Sequence, residues 1–333
     1  MFLHLLKDEV SMQKTDFHRK TSEERKQEIE GLTKQLEEGV SAYLQSDKYK
    51  ELLNTFSKFH NYSLNNNILI AMQTHGKAQA VASFTTWKSM NRYPRRGEKG
   101  IKILCPAPFK SKQQLHKIDA LTQKPVYDSN GNAVMEEKEV TIPAYKVGYV
   151  FDVSQTDGEP LPEVTRELTD DVYGYEQLKQ ALEQSSDVPV EYKNIDGAEK
   201  GYYSLSDNQI VIKANLPQLQ TCKTLLHETV HSRLHSKDNK AVSKIDAEIQ
   251  AESVAYIVSK HLGLDTDSYS FPYIGTWAKS PDKVKDNLEV IRKAANELIN
   301  RIDHELSLLE MKRLSEKTEL SEPVKKNYIR IHM

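Results

Sequence analysis

The segment His227-Glu228-Thr229-Val230-His231 restricts this chain more than any other feature of it. Two histidines four residues apart project from one face of a helix, about one turn from each other. That spacing lets two neutral imidazoles hold one Zn²⁺. A glutamate directly after the first histidine stands beside the ion rather than on it, where it can take a proton from an activated water as general base. Zinc lowers the pKa of such a water to about 7, so hydroxide is available at neutral pH. The flanking Leu225, Leu226, Thr229, Val230 and Ser232 are uncharged, which suits a helix packed beside a metal, while Arg233 departs from that pattern. A surface helix with two incidental histidines would spell the same motif. The surroundings argue against it, because a hairpin pattern precedes the helix and an acid-bearing helix follows.

A catalytic zinc takes three protein ligands and leaves a fourth position open. The stretch Ile245-Asp246-Ala247-Glu248-Ile249-Gln250-Ala251-Glu252 places Glu248 and Glu252 four apart, on a stripe shared with Ile245, Ile249 and Ala255. Carboxylates on an apolar stripe are costly unless they are paired or metal-bound. One is therefore expected as a ligand and the other as acceptor for a histidine N–H; two solvated acids are the alternative. His235, four residues after His231, is a weaker ligand candidate, since a rigid helix rarely aims three successive turns at one ion. Cys222 reads as a small buried apolar residue.

A length of 333 residues implies about two domains. A net charge of −2 means that any nucleic-acid affinity must come from a local patch. No apolar run approaches the ~18 residues that cross a bilayer, so no membrane association is expected. The N-terminus turns charged after Leu6 and reads as no signal peptide. Two distant cysteines, Cys105 and Cys222, fit a reducing cytoplasm.

The patterning predicts a two-domain α+β chain. Residues 1–20 read as disordered. Residues 21–156 form a first domain of helices and a small antiparallel sheet, 157–168 a linker, 169–310 a second domain and 311–333 a flexible tail. In the first domain Thr21 or Ser22 caps a helix, Leu52 to Phe59 carry a second, and Asn61-Tyr62-Ser63 cap a third. Strands are expected at Val81–Phe84, Ile101–Leu104, Val140–Ile142 and Tyr145–Phe151, with an exposed hairpin or loop between 110 and 138. The second domain shows a helix at about 173–184, a strand at 188–192, a hairpin around Ser206-Asp207-Asn208, and helices near 217–236, 243–262 and 281–310.

The stretch 77–117 holds ten cations (Lys77, Lys88, Arg92, Arg95, Arg96, Lys99, Lys102, Lys110, Lys112 and Lys117) against the single acid Glu98. Phe84, Trp87, Tyr93 and Phe109 interleave with them. Lysine and arginine can track phosphates while exposed rings stack on unpaired bases. Trp87, Lys88, Arg92, Tyr93, Arg95, Arg96 and Lys99 are thus candidates to bind single-stranded DNA. A solvated loop with Phe84 and Trp87 in the core is the competing reading.

Several blocks in order carry a family resemblance: Asn61-Tyr62-Ser63-Leu64-Asn65-Asn66, Phe84-Thr85-Thr86-Trp87-Lys88, Arg96-Gly97-Glu98-Lys99-Gly100 and Tyr149-Val150-Phe151-Asp152-Val153-Ser154-Gln155-Thr156. Together with the His-Glu-x-x-His segment and Glu248-Ile249-Gln250-Ala251-Glu252, they resemble ArdC-type antirestriction proteins, the LtrC-like branch in particular. The likeness spans about residues 25–305. It implies an N-terminal domain that binds single-stranded DNA, a C-terminal zincin-fold metallopeptidase, and protection of incoming mobile-element DNA. The second half is also similar to gluzincins, which implies Glu248 as zinc ligand and Glu252 as its supporting neighbour. The expected partners are single-stranded DNA and a peptide substrate. Two other readings stay open: a DNA-binding protein with a vestigial or structural zinc site, and a regulatory peptidase that cleaves a repressor.

Overall fold

The structure, a computed structural model that describes residues 21–43, 46–161, 174–236, 242–266, 271 and 281–321, has eight α-helices and ten strands among those residues; the helix at 84–89 and the strands at 92–94 and 156–158 are additions to the expected order. The expected disordered start, residues 162–168 of the expected linker and residues 322–333 of the expected tail lie outside the described residues. The elements are α1 (Ser22–Ala42), α2 (Ser46–Lys58), α3 (Leu64–Thr74), β1 (Val81–Ser83), α4 (Phe84–Ser89), β2 (Arg92–Pro94), β3 (Ile101–Pro106), β4 (Phe109–His116), β5 (Met135–Ile142), β6 (Tyr145–Asp152), β7 (Thr156–Gly158), α5 (Tyr175–Gln184), β8 (Val190–Lys193), β9 (Gly201–Ser204), β10 (Gln209–Lys213), α6 (Gln218–Leu234), α7 (Lys244–His261) and α8 (Pro281–Ser321). Among the described residues no helix is long and apolar enough to cross a membrane.

Local chemistry sets the helix ends. Thr21 Oγ1 accepts from the Glu24 N–H at 3.1 Å while Glu24 Oε2 accepts from the Thr21 N–H at 2.6 Å, a reciprocal capping box. Ser63 and Ser243 cap α3 and α7 through side-chain oxygens. Ser83 caps α4 in the same way, accepting from Thr86 N–H at 3.1 Å. The expected strand through Phe84 therefore stops at Ser83 and turns into a helix, because a serine that satisfies an orphan N–H outweighs one residue of β-propensity. Helix α8 continues to Ser321, so the first part of the expected tail is helical; Leu, Met, Glu, Lys and Arg dominate there, with no Gly or Pro before Pro323.

The chain divides into two compact units, residues 34–104 with 148–333, and residues 1–33 with 105–147. In the larger, α2 packs on α7, and α7 packs on both α6 and α8. Tyr49, Leu52, Leu53 and Phe56 of α2 and Val254, Ala255, Ile257 and Val258 of α7 are buried, as are Leu288, Ile291, Leu298 and Ile302 of α8. Tyr49 Oη and Ser253 Oγ are hydrogen-bonded at 2.8 Å within that core. The units thus do not follow the expected boundary at residue 157. The apolar faces of α2 and α3 meet helices some two hundred residues away, a pairing that periodicity does not encode.

Three small sheets belong to this unit in whole or part. One has the order β1-β6-β3, one is the pair β2-β7, and one has the order β8-β10-β9, with β10 parallel to β8 and antiparallel to β9. The fold is α+β. Gly158 permits the β2-β7 pairing: its φ is +141°, and a Cβ there would stand 2.2 Å from Asn91 O. In the smaller unit β4 and β5 form an antiparallel ribbon with cross-strand ion pairs Lys110–Glu139 at 2.6 Å and Lys112–Glu137 at 2.7 Å. At the ribbon's far end Asp128 Oδ1 accepts from the N–H groups of Asn130 and Asn132, closing the turn expected near Gly131.

Candidate metal centre

Helix α6 carries the His-Glu-x-x-His segment along the face that meets α7 and the β8-β10-β9 sheet. Its core side is set by Cys222, Leu225, Leu226 and Val230, each about 1% exposed. Strand β9 lies directly on this helix, and Gly201 allows it: a Cβ at that position would stand 2.7 Å from Thr224 Cγ2.

His227 and His231 converge with Glu248 of α7, one donor atom from each residue lying within 4.8 Å of the others. The two Nε2 atoms are 3.0 Å apart, Glu248 Oε2 is 3.5 Å from His227 Nε2, and Glu248 Oε1 is 3.8 Å from His231 Nε2. A tetrahedral ion with bonds of about 2.0–2.1 Å holds its ligands about 3.3–3.4 Å apart, so two imidazoles and a carboxylate at these separations fit a divalent cation. Glu252, one turn on, lies on the other side of His227, with Oε2 3.4 Å from Nδ1. It holds the proton there and leaves Nε2 toward the cluster. Burial disfavours a charged His227, yet hydrogen bonds to Glu248 and Glu252 outweigh it and push the pKa up to about 10. Hydrogen bonds from His227 and His231 hold the Glu248 carboxyl well below its ordinary range. Two nitrogens this close need a positive centre between them, a proton or a metal.

His235 is not part of this cluster. Its Nδ1 lies 2.9 Å from His231 Nδ1 and its Nε2 2.9 Å from Gln250 Oε1. Gln250 and its partner Asn287 are buried polar residues that the sequence reading missed. An amide on an apolar helix face was the available signal.

Glu228 points from the next position of α6 into a cavity of about 410 Å³ lined by Lys200, Gly201, Gln220, Lys223, Thr224, His227 and Glu252 among others. It is 8% exposed. Burial raises its carboxyl above the ordinary value, against the pull of His227 and His231, while the Tyr203 backbone N–H of β9 bonds the carboxylate. A buried carboxyl with a raised pKa beside the His227–His231–Glu248 group can accept and return a proton.

The seven DNA-binding candidates separate into two groups. Trp87 is 2% exposed and its Nε1 donates to Phe151 O at 2.8 Å, so its ring is a core element and no base can stack on it. Arg92 is 9% exposed; its Nε donates to Thr156 Oγ1 at 2.9 Å, one terminal nitrogen to Thr156 O, and the other to Gly158 O and Glu159 O. These two assignments are corrected: both side chains hold the fold. Tyr93, Lys88, Arg95, Arg96 and Lys99 are exposed. Arg95 is tethered to Glu98 at 2.8 Å and Asp157 at 3.4 Å, whereas Lys88, Arg96 and Lys99 form no ion pair with a described acid.

Residues 22–151 match the family model for the N-terminal domain of anti-restriction factor ArdC. The chain carries an ArdC-type N-terminal domain. An uncharacterized protein of Bacillus anthracis is 27% identical over 93% of this chain and 57% of its own length. The Escherichia coli DNA primase TraC is 28% identical over 74% of this chain and 24% of its own length. The chain thus spans about half the length of one curated relative and a quarter of the other. Crystal structures of the antirestriction ArdC protein from plasmid R388, metal-free and Mn(II)-bound, are similar over 74% of this chain and over 84% and 87% of their own. Their identities are 21% and 19% and their TM-scores 0.43 and 0.42.

The sequence blocks of the ArdC-type domain have structural work to do. Asn66 holds both sides of Leu104, accepting from its N–H at 2.8 Å and donating to its carbonyl at 3.0 Å. Asp152 accepts from the N–H groups of Gln79, Ala80 and Ser154. Gln155 donates to Glu98 Oε2 and to Lys99 O, tying the Arg96–Gly100 turn to the end of β6. His227, Glu228 and His231 lie beyond the matched stretch.

Proposed function

We propose that this chain is a zinc-dependent peptidase-type hydrolase joined to an ArdC-type domain that binds single-stranded DNA, and that it protects incoming mobile-element DNA from restriction. The observation that carries the hydrolase reading is the convergence of His227, His231 and Glu248 with a buried Glu228 beside them. A purely structural site needs no such base. In this reading the second half is zincin-like, with α6 and α7 as its two metal-bearing helices and β9 as the sheet edge along which a peptide lies.

A divalent ion held by His227, His231 and Glu248 would acidify a water and polarise a peptide carbonyl. Glu228 would serve as the base that takes a proton from the attacking water. The same carboxyl would then return that proton to the departing amide nitrogen. Glu252 keeps His227 oriented through Nδ1, and the Tyr203 N–H keeps Glu228 facing the cleft. Two imidazoles and one carboxylate suit zinc; Mn(II), the ion in one R388 ArdC structure, is the competitor to test.

The DNA reading rests on Lys88, Arg96, Lys99 and exposed Tyr93 within the matched domain, and the TraC relative, a DNA primase, agrees with it. The test uses the full chain refilled with zinc, with casein fragments read by mass spectrometry and labelled oligo(dT) by anisotropy. Cleavage that Glu228→Gln abolishes while metal content stays is the expected result. A refilled chain that holds no stoichiometric metal overturns the hydrolase reading.

A further inference from the structure

One histidine of the cluster is backed by a carboxylate, the other by a line of neutral side chains. The direction of that line can be read from its far end. The Lys283 carbonyl can only accept, so the Asn287 group 2.8 Å from it is the Nδ2 amide, which donates. Asn287 Oδ1 is then the atom facing Gln250, and it accepts from Gln250 Nε2. Gln250 Oε1 is left facing His235 Nε2 at 2.9 Å, and an amide oxygen requires an N–H there. A neutral His235 with its proton on Nε2 has a bare Nδ1. That atom lies 2.9 Å from His231 Nδ1, which must therefore carry the proton.

We infer that the line Asn287–Gln250–His235 fixes His231 as the Nδ1–H tautomer and so presents its bare Nε2 to a cation. The inference rests on the metal reading above for its purpose, though its geometry stands without it. His235 and Gln250 are positioning residues here. The former is the C-cap of α6, its backbone N–H bonded to His231 O at 2.9 Å. Gln250 and Asn287 are 4% and 7% exposed, so water competes little for their amides. Glu252 performs the same task for His227 directly, through a charged oxygen. With a cation bound, both Nε2 atoms would face it beside the Glu248 carboxylate. The neutral line orients its ligand without adding a second buried negative charge beside the cluster, which would cost more desolvation than an amide.

The test reads tautomers by long-range ¹H–¹⁵N correlation in the full, metal-free chain near pH 8, then zinc affinity by competition with a chelator. The expected result is His231 with its proton on Nδ1 and His235 with its proton on Nε2. Gln250→Met removes the acceptor; His231 should become a tautomer mixture and zinc affinity should fall roughly ten- to hundred-fold. Gln250→Glu still offers an oxygen to His235 Nε2, so His231 should keep its tautomer and most of the affinity. A wild-type His231 protonated on Nε2, or equal zinc losses in Gln250→Met and Gln250→Glu, overturns the inference. The predicted tautomers in a chain that takes up no metal support it while overturning the metal reading, which keeps the two failures distinct. Should Gln250→Met not fold, the wild-type spectrum alone decides.

Discussion

Trp87 Nε1 donates to the carbonyl oxygen of Phe151 at 2.8 Å, joining the short helix α4 to the strand β6 beneath it. The indole is 2% exposed, whereas Tyr93, six residues on, is 48% exposed. The two rings should therefore respond oppositely. Trp87→Ala should destabilise the fold by about 3–5 kcal/mol and lower the Tm, with DNA affinity lost only as the chain unfolds. Tyr93→Ala should leave the Tm in place and weaken oligo(dT) binding by about 1–3 kcal/mol. Thermal melts and anisotropy on the same two variants check this. A Trp87→Ala chain of wild-type stability would show that the ring is not in the core.

What separates these rings also marks how far the sequence could be read. The His227–His231 pair and its cap-to-cap helix were legible because ligand spacing and helix period are local. Ser63 and Thr21 were legible as caps for the same reason. Trp87 and Tyr93 occupy similar basic surroundings in sequence, and only the pairing of β1 with β6 decides which faces inward. Arg92 looked like a phosphate contact because its acceptors, around Thr156–Glu159, lie more than sixty residues away and are mostly carbonyls. Gln250 and Asn287 were missed because an isolated amide carries no pattern until a partner helix is in place.

Asp152 offers a test through pH. Burial opposes its charge, but hydrogen bonds from the Ser154 hydroxyl and from the N–H groups of Gln79, Ser154 and Ala80 outweigh that and hold its pKa below the ordinary 3.8. A depressed folded pKa means that the stabilisation is present above 3.8 and is lost as pH falls through the folded value. Asp152→Asn should therefore cost about 1–3 kcal/mol at pH 7, and its gap from wild type should close well below pH 4. Urea unfolding at pH 7 and pH 3 measures both. A gap that persists unchanged at pH 3 would mean that packing, not the charge, is what the substitution removed.

At the metal cluster, one zinc per chain is expected, and His227→Ala with His231→Ala should abolish it. Glu248→Ala removes a ligand and should weaken zinc more than Glu252→Ala, which removes only the support on His227 Nδ1 and should lower affinity roughly ten- to hundred-fold. Because the two carboxylates hold a proton on His227 up to about pH 10, metal must displace it at neutral pH. Affinity should then rise with pH, and zinc binding should release protons. Calorimetry in two buffers of different ionisation enthalpy measures that release. Equal affinities at pH 6 and pH 8 would contradict it.

The cations of the ArdC-type domain should divide by what they touch. Arg92 spends its guanidinium on Thr156, Gly158 and Glu159, a forked arrangement that a lysine cannot copy. Arg92→Lys keeps the charge, so the salt dependence of DNA binding should stay, while stability falls with the lost hydrogen bonds. Arg96 and Lys99 are exposed and pair with no described acid. Their replacement by alanine should move stability by no more than about 0.5 kcal/mol. Each replacement should also flatten the slope of log affinity against log salt by about 1, uniformly across oligonucleotide sequences, because each phosphate contact releases counterions. Titrations of all three variants at four salt concentrations separate the outcomes. A flattened slope in Arg92→Lys together with an unchanged slope in Arg96→Ala and Lys99→Ala would place the phosphate path elsewhere on the chain.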